Sequence, residues 1–303
     1  MNWQTSCLLV FFLVLLIGCK DSSQYPLGSI QNPIKFLFTP SVESSTLIKN
    51  SSILIQFLEK ETGFKFKVSV PTNYISVVES FGTQRADVAI LNSFGYLLAH
   101  SKYGVEAEAI VIRDNQSFYS GQIITHVDSG INTIHDVHGK KFAYSDPSSL
   151  SGYLFPKQLF DSHQIVPGKI VFGMKHDIVV TMVYQRQVDA GATFYSPPNN
   201  GLIQDARFKV LTQFPDVEDK VKIIELTQNI PNDPIVFKQN FPKDKLEKIV
   251  NAIIRYSQLD NGQKILQQMY SIDGIVRTTD ADFDSLRDAI RLSDIEIGDI
   301  LKK

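Results

Sequence analysis

The sequence predicts an α/β protein built as two doubly wound blocks. Three observations carry this reading. From residue 34 onward, short apolar runs alternate with longer stretches whose apolar residues recur at helical spacing. The same rhythm restarts near residue 141. One phrase also occurs twice: Gln84-Arg85-Ala86-Asp87-Val88-Ala89 and Arg186-Gln187-Val188-Asp189-Ala190-Gly191 each close a helix and open a strand of small residues. Strands alternating with helices imply parallel pairing through crossover connections.

The elements follow in order. Residues 34–40 (IKFLFTP) read as a short strand. A helix is expected over 47–62, with Ile48, Leu54, Ile55 and Leu58 apolar and Gly63 as its stop. Residues 64–70 alternate as FKFKVSV and read as a second strand. A helix over 74–84 leads to a third strand at 86–91, and 108–113 is a fourth. In the second block, 141–144, 169–173 and 188–194 are strands separated by helices at 153–163 and 178–186. Later strands fall at 222–226 and 235–237. A helix over 243–259 places Leu246, Ile249, Val250 and Ile253 on one face. The tail from 282 to 301 also reads as helical.

The N-terminus has a different character. Cys7 to Gly18 reads CLLVFFLVLLIG without a charge. This is too short to span a bilayer of about 30 Å as a helix and matches the apolar core of a secretory signal. It ends in Leu16-Ile17-Gly18-Cys19, followed at once by polar Lys20-Asp21-Ser22-Ser23-Gln24. This resembles a bacterial lipoprotein signal. The resemblance implies a signal peptide over residues 1–18, lipid on Cys19, and a tether over 19–32 carrying Pro26 and Gly28. Lys and Arg are absent from Met1 to Ser6, so the usual positive start rests on the α-amine alone.

Bulk composition narrows the function. Of 303 residues, 43% are apolar and 20% charged, enough to build one large domain or two medium ones. The net charge is −2 with no long basic run, which leaves no electrostatic footprint for nucleic acid. The only cysteines are Cys7 and Cys19, so beyond the N-terminal segment there is no thiol for a disulfide, a thiolate metal site or a nucleophile. The histidines are scattered without an H-E-x-x-H spacing, and no G-x-S-x-G elbow occurs; no metal or other cofactor is expected.

In open α/β sheets, ligands sit beyond the carboxyl ends of strands. Polar residues fall at several such ends: Tyr74, Asn92 with Ser93, Ser145 to Ser151, His176, and Ser196. The stretch SDPSSLSGYLF (145–155) has two readings. Its serines cap a helix starting near Gly152, or its unpaired backbone N–H groups and hydroxyls cradle an anion. His176 is either a ligand donor or a satisfied surface residue. Ser149, His176 and Asp177 do not suit a hydrolase triad, because neighbouring residues in extended chain point to opposite sides. Tyr74 and Tyr119 serve packing or stack on a ligand. Asp233, between Pro231-Asn232 and Pro234, is a turn residue or a rigidly held acceptor.

Taken together, these phrases resemble the phosphate/phosphite/phosphonate-binding proteins of ABC importers, from about Ile34 to Leu292. The matching segments are Ala86-Asp87-Val88-Ala89, Ser145 to Gly152, Val188-Asp189, Ile230-Pro231-Asn232-Asp233-Pro234 and Thr279-Asp280-Ala281-Asp282-Phe283-Asp284. The resemblance implies a two-lobed, type II-like periplasmic binding protein with a ligand cleft between lobes. Two crossover strands, at 120–127 and 221–228, would join lobe 1 (33–122 with 228–303) to lobe 2 (123–227). It implies oxyanion contacts from Ser149, the Leu150 backbone N–H and Ser151, with Tyr74, His176 and Asp233 as further contacts. The remaining cleft candidates are Asn92, Ser93, Tyr119 and Ser196. Such a protein would be a monomer that hands a small phosphorus oxyanion to an ABC permease and its ATPase and breaks no bond. Its rivals are a ligand-sensing lipoprotein and an enzyme acting on phosphonates or phosphoesters. Two departures stand out. Aminoalkylphosphonate binders carry a tyrosine after the third strand, where this chain has Leu91-Asn92-Ser93-Phe94-Gly95-Tyr96. They also carry a second carboxylate where this chain has Phe194-Tyr195-Ser196. With Asp233 as the one expected carboxylate, the sequence favours a small ligand such as phosphate, phosphite or methylphosphonate.

Overall fold

The computed structural model of the chain describes residues 24–39, 44–147, 149–199 and 201–291. The apolar N-terminal segment, Cys19 and the tail beyond Arg291 lie outside the described residues. The chain opens with β1 (Ile34–Phe38), α1 (Ser44–Thr62), β2 (Phe66–Ser69), α2 (Tyr74–Gly82), β3 (Val88–Ile90), α3 (Ser93–Tyr103) and β4 (Glu106–Ile112). A second group follows: β5 (Phe118–His126), β6 (Lys141–Tyr144), α4 (Phe155–Ser162), β7 (Lys169–Phe172), α5 (His176–Tyr184), β8 (Ala190–Tyr195), α6 (Val217–Lys220) and β9 (Val221–Pro231). The chain then closes with β10 (Pro234–Phe237), α7 (Lys243–Ser257), α8 (Asp260–Tyr270), β11 (Gly274–Arg277) and α9 (Asp284–Arg291).

These strands form two sheets, in the orders β11-β4-β10-β3-β1-β2 and β7-β6-β8-β5-β9. Neither is wholly parallel, which corrects the simplest expectation from strand–helix alternation. β1 pairs in parallel with β2 and β3, but β10 and β11, which return after the long excursion, pair antiparallel. In the second sheet β6 is parallel to β7 and β8, whereas β5 is antiparallel to β8 and β9. β5 and β9 carry the chain between the sheets. They pair with one another from Phe118↔Pro231 to His126↔Val221, with two register shifts on the way. Such irregularities bend a strand.

The repeated phrase has a structural cause. Asp87 is buried, and its Oδ2 accepts the Lys35 backbone N–H at 2.8 Å. Asp189 accepts the Lys141 backbone N–H in the same way at 2.7 Å. The lysines return the favour: Lys35 Nζ reaches Gln84 O and Lys141 Nζ reaches Gln187 O. Gln84 and Arg186 both turn the chain with positive φ, 56° and 57°. Each phrase thus pins the start of one strand to the end of a neighbouring helix.

Apolar side chains fill both faces of each sheet. Phe36 and Phe38 project from β1 onto a cluster with Leu54, Leu58, Ile249 and Ile253, all buried. Burying each such side chain contributes about 1.5–3 kcal/mol. The sequence reading ended its helix at 259 and did not anticipate α8, because Asp260-Asn261-Gly262 looks like a turn. Gly262 instead lets the two helices close: a Cβ there would lie 1.8 Å from Tyr256 O. The cluster on the other face of the six-stranded sheet also takes in Leu150, Leu154 and Phe155 from the second lobe. The lobes are therefore packed together beside the crossover strands.

Candidate functional site

A cavity of about 670 Å³ lies between the two sheets and draws its walls from both. One wall is the opening of the helix that follows β6. Ser149 has extended backbone (φ −76°, ψ 124°), and its Oγ accepts the Gly152 N–H at 3.0 Å. The next five residues, Leu150–Leu154, wind as a π-helical turn and pass directly into α4. Leu150 and Ser151 open this turn, so their N–H groups have no intrahelical partner. The sequence expected an α-helix from Gly152 or thereabouts. The wider turn arises because Leu154 N–H reaches back to Ser149 O and Phe155 N–H to Leu150 O. A serine cap and unpaired backbone N–H groups coexist in the same residues.

The same wall is completed by His176, the first residue of α5, and by Ser196 just beyond β8. The His176 ring meets Phe194 edge-on, with centroids 5.1 Å apart. Burial, reinforced by Lys209, pushes its pKa from 6.5 down to about 4, against the opposing pull of Asp177 and Asp146. At neutral pH it is an uncharged imidazole that donates through one nitrogen only.

The facing wall belongs to the six-stranded sheet. Asn92 caps α3, its Oδ1 accepting the Gly95 N–H at 2.6 Å. The Ser93 hydroxyl donates to Pro231 O and Asn232 O and so ties α3 to the turn between β9 and β10. Both residues line the cavity, but these bonds already occupy the Ser93 proton and the Asn92 carbonyl. Tyr119 sits at the start of β5, partly buried, and burial followed by the Asp233 charge raises its pKa. Tyr74 is not among the lining residues. Its ring packs against Gly95, 3.3 Å from where a Cβ would stand, and burial together with Asp146 raises its pKa.

Asp233 is not a free acceptor. Arg113, which follows β4, donates from Nη2 to Asp233 Oδ2 at 2.6 Å and from Nε to Tyr270 O at 3.0 Å. Burial works against the Arg113 charge, but Asp233 more than offsets it and holds the guanidinium pKa above its ordinary value. Asp233 is also not the only carboxylate in the cleft. Asp114 and Asp273 share this wall, and the Asp114 N–H donates to Asp273 Oδ2 at 2.6 Å. Burial and then Asp273 raise the Asp114 pKa, while a hydrogen bond from Ser196 across the cleft opposes the rise. Sequence reasoning missed Arg113, Asp114 and Asp273. The first two adjoin a strand end, but only pairing with β11 brings Asp273 beside them: Gly274 stands opposite Ile112. Phe94 lines the cavity, whereas Tyr96 is fully buried with its hydroxyl on Asp280.

The cleft thus sets hydroxyls, helix N–H groups and a neutral imidazole against a wall of three carboxylates and one guanidinium. The family of ABC transporter, phosphonate, periplasmic substrate-binding proteins is matched over residues 36–283. The chain belongs to this family. It is 25% identical over 223 residues to the phosphonates-binding periplasmic protein of Escherichia coli K12, covering 71% of this chain and 63% of that one. It is 30% identical over 151 residues to the phosphate-import protein PhnD of Mycolicibacterium smegmatis, covering 47% and 44%. The chain therefore spans between about two fifths and two thirds of these relatives' lengths. Among solved structures, PhnD1 of Prochlorococcus marinus in complex with methylphosphonate superposes with a TM-score of 0.61 at 16% identity, covering 85% of this chain and 97% of that one. That likeness is one of fold, and it is the two-lobed binding-protein fold.

Proposed function

We propose that this protein is a solute-binding lipoprotein that captures a phosphorus oxyanion (a phosphonate, phosphite or phosphate) and delivers it to an ABC permease and its ATPase. It breaks no bond. The observation that carries this reading is the Ser149–Gly152 turn, a serine-lined helix N-terminus that opens into a cleft shared by both lobes. Helix N-termini favour anions through unpaired N–H groups and a positive partial charge. Ser149, Ser151 and the Leu150 N–H hold the oxyanion, with His176 and Ser196 beside them. Tyr119 and Asp233 meet the ligand from the other lobe. Asn92 and Ser93 shape that wall, and Tyr74 supports it from behind.

In this reading lobe 1 comprises residues 33–122 with 228–303 and lobe 2 residues 123–227. Residues 1–18 are removed as a signal, and Cys19 carries lipid that holds the body to the membrane through the 19–32 tether. The protein works as an exported monomer, and ligand contacts to both lobes favour the closed state. The carboxylates of lobe 1 repel a fully ionised ligand and favour one that presents a proton to them, a form of selection by repulsion.

Calorimetry with methylphosphonate, phosphite and phosphate tests the reading. Ser149→Ala combined with Ser151→Ala is expected to weaken the best of these by well over tenfold, since hydrogen bonds to charged groups are worth roughly 1.5–3 kcal/mol each. Unchanged affinity in the double variant would sink the site assignment, and no binding by the wild type would sink the function.

A further inference from the structure

We propose that Ser145 is a positioning residue: its hydroxyl donates to His176 Nδ1 and so fixes the imidazole with its proton on Nε2, toward the cleft. This rests on the functional reading above and deepens it.

Two polar atoms near the cradle are sealed from solvent and unpaired: Ser145 Oγ and His176 Nδ1. Buried polar atoms are rarely left so. They converge on one point. Ser145 Oγ lies 1.8 Å from where a Gly152 Cβ would stand, and His176 Cε1, the ring carbon between Nδ1 and Nε2, lies 3.1 Å from the same place. Only a glycine at 152 leaves the Ser145 hydroxyl its room beside the imidazole. The Ser145 backbone is pinned on both sides, donating to Gly152 O at 3.1 Å and accepting from Met174 N–H at 3.3 Å. The His176 ring is braced by Phe194. The serine side chain can turn without breaking either of these backbone hydrogen bonds.

The consequence is chemical. A neutral imidazole has one donor and one acceptor nitrogen, and the hydrogen bond made by one decides the state of the other. If Nδ1 accepts from Ser145, Nε2 carries the proton. Ser145 then favours an anion contact without touching the anion. The charged groups around the ring, Asp146, Asp177 and Lys209, act on it through their fields, and none of them is a hydrogen-bond partner of Nδ1.

The test is long-range ¹⁵N–¹H NMR of the His176 ring nitrogens in wild type, Ser145→Ala and Ser145→Cys, paired with methylphosphonate titration by calorimetry. The wild type should show an unprotonated Nδ1 and a protonated Nε2. Ser145→Ala should give mixed tautomers and weaken methylphosphonate binding by roughly threefold to tenfold, because part of the population then offers a lone pair to the anion. Ser145→Cys, a weaker donor of similar size, should fall between. A protonated Nδ1 in the wild type, or an unchanged tautomer in Ser145→Ala, overturns the proposal. A tautomer change with unaltered affinity overturns its link to binding. A wild type that binds neither methylphosphonate nor phosphate overturns the functional reading instead; the nitrogen shifts need no ligand and judge Ser145 on their own.

Discussion

Gly121→Ala should displace the Ser149–Gly152 turn, the proposed anion site, without touching it chemically. Gly121 lies in β5, where a Cβ would stand 2.6 Å from the backbone oxygen of Ser151 and 2.9 Å from Thr227 Cγ2. Ordinary contact begins at 3.4 Å. The strand has little freedom to yield: Gly121 is opposite Phe194 in β8, and its N–H donates to Thr227 Oγ1 at 2.8 Å. The Ser151 carbonyl must therefore retreat by roughly 0.8 Å, the difference between these two contacts, and the turn moves with it. A shift of that size stretches a hydrogen bond of about 2.9 Å beyond the useful range. Losing one bond to the anion weakens binding by roughly 10- to 100-fold, and overpacking adds a stability cost of about 1–3 kcal/mol. Calorimetry with methylphosphonate and a thermal melt measure the two effects. Gly274→Ala is the control, because the nearest atom to its Cβ would be 3.7 Å away; it should stay within about 0.5 kcal/mol of the wild type. Affinity within twofold of wild type and an unshifted melt in Gly121→Ala would refute the claim that this close approach sets the turn.

Three further outcomes are expected. Asp233→Asn releases the Arg113 guanidinium from its 2.6 Å partner and removes a negative charge from the cleft; binding of a dianionic ligand should tighten relative to a monoanionic one, visible as a change in the pH dependence of phosphate affinity, and an unchanged preference would argue that Asp233 does not face the ligand. His176 is held neutral with its pKa near 4 rather than 6.5. The unfolded chain thus takes up a proton as pH falls through 6.5 while the folded one does not until about 4. Its contribution to stability is full above pH 6.5 and is lost by about pH 4, a change of about 3 kcal/mol; denaturation curves of wild type and His176→Gln across this window should converge by that amount at low pH, and parallel curves would contradict the burial argument. Gly152→Ala should lower the melting temperature, because its Cβ would fall 1.8 Å from Ser145 Oγ; a melt equal to wild type would mean that Ser145 moves aside freely.

Much of this molecule could be read along the chain. Most strands and helices of each block follow from local periodicity, which needs only neighbouring residues, but α3, α8 and β11 were not read from it. The short phrase ending in Asp87 and its echo ending in Asp189 were visible as a repeat, although their role as caps on a neighbouring strand was not, because each partner lies about fifty residues away in sequence. The cap at Ser149 was legible for the same local reason: cap and helix start occupy one continuous segment, Ser149 to Gly152. Strand direction was not. β10 and β11 enter the first sheet only after the chain has built the second, so their antiparallel pairing depends on where a long excursion returns.

The amino-acid sequence alone determined the block rhythm, the absence of thiols beyond Cys19, and the serine-capped turn proposed to receive an anion. Tertiary structure decided what faces that segment. It paired Asp233 with Arg113, so that the apparent lone acceptor is half of an ion pair. It brought Asp114 and Asp273 together from strands distant in sequence. It placed Gly121 where only the absence of a side chain lets β5 approach the Ser151 carbonyl, and Gly152 where it leaves room for the Ser145 hydroxyl. These are contacts between residues far apart along the chain. Their energies depend on distance and burial in the folded body, and neither quantity exists before the fold does.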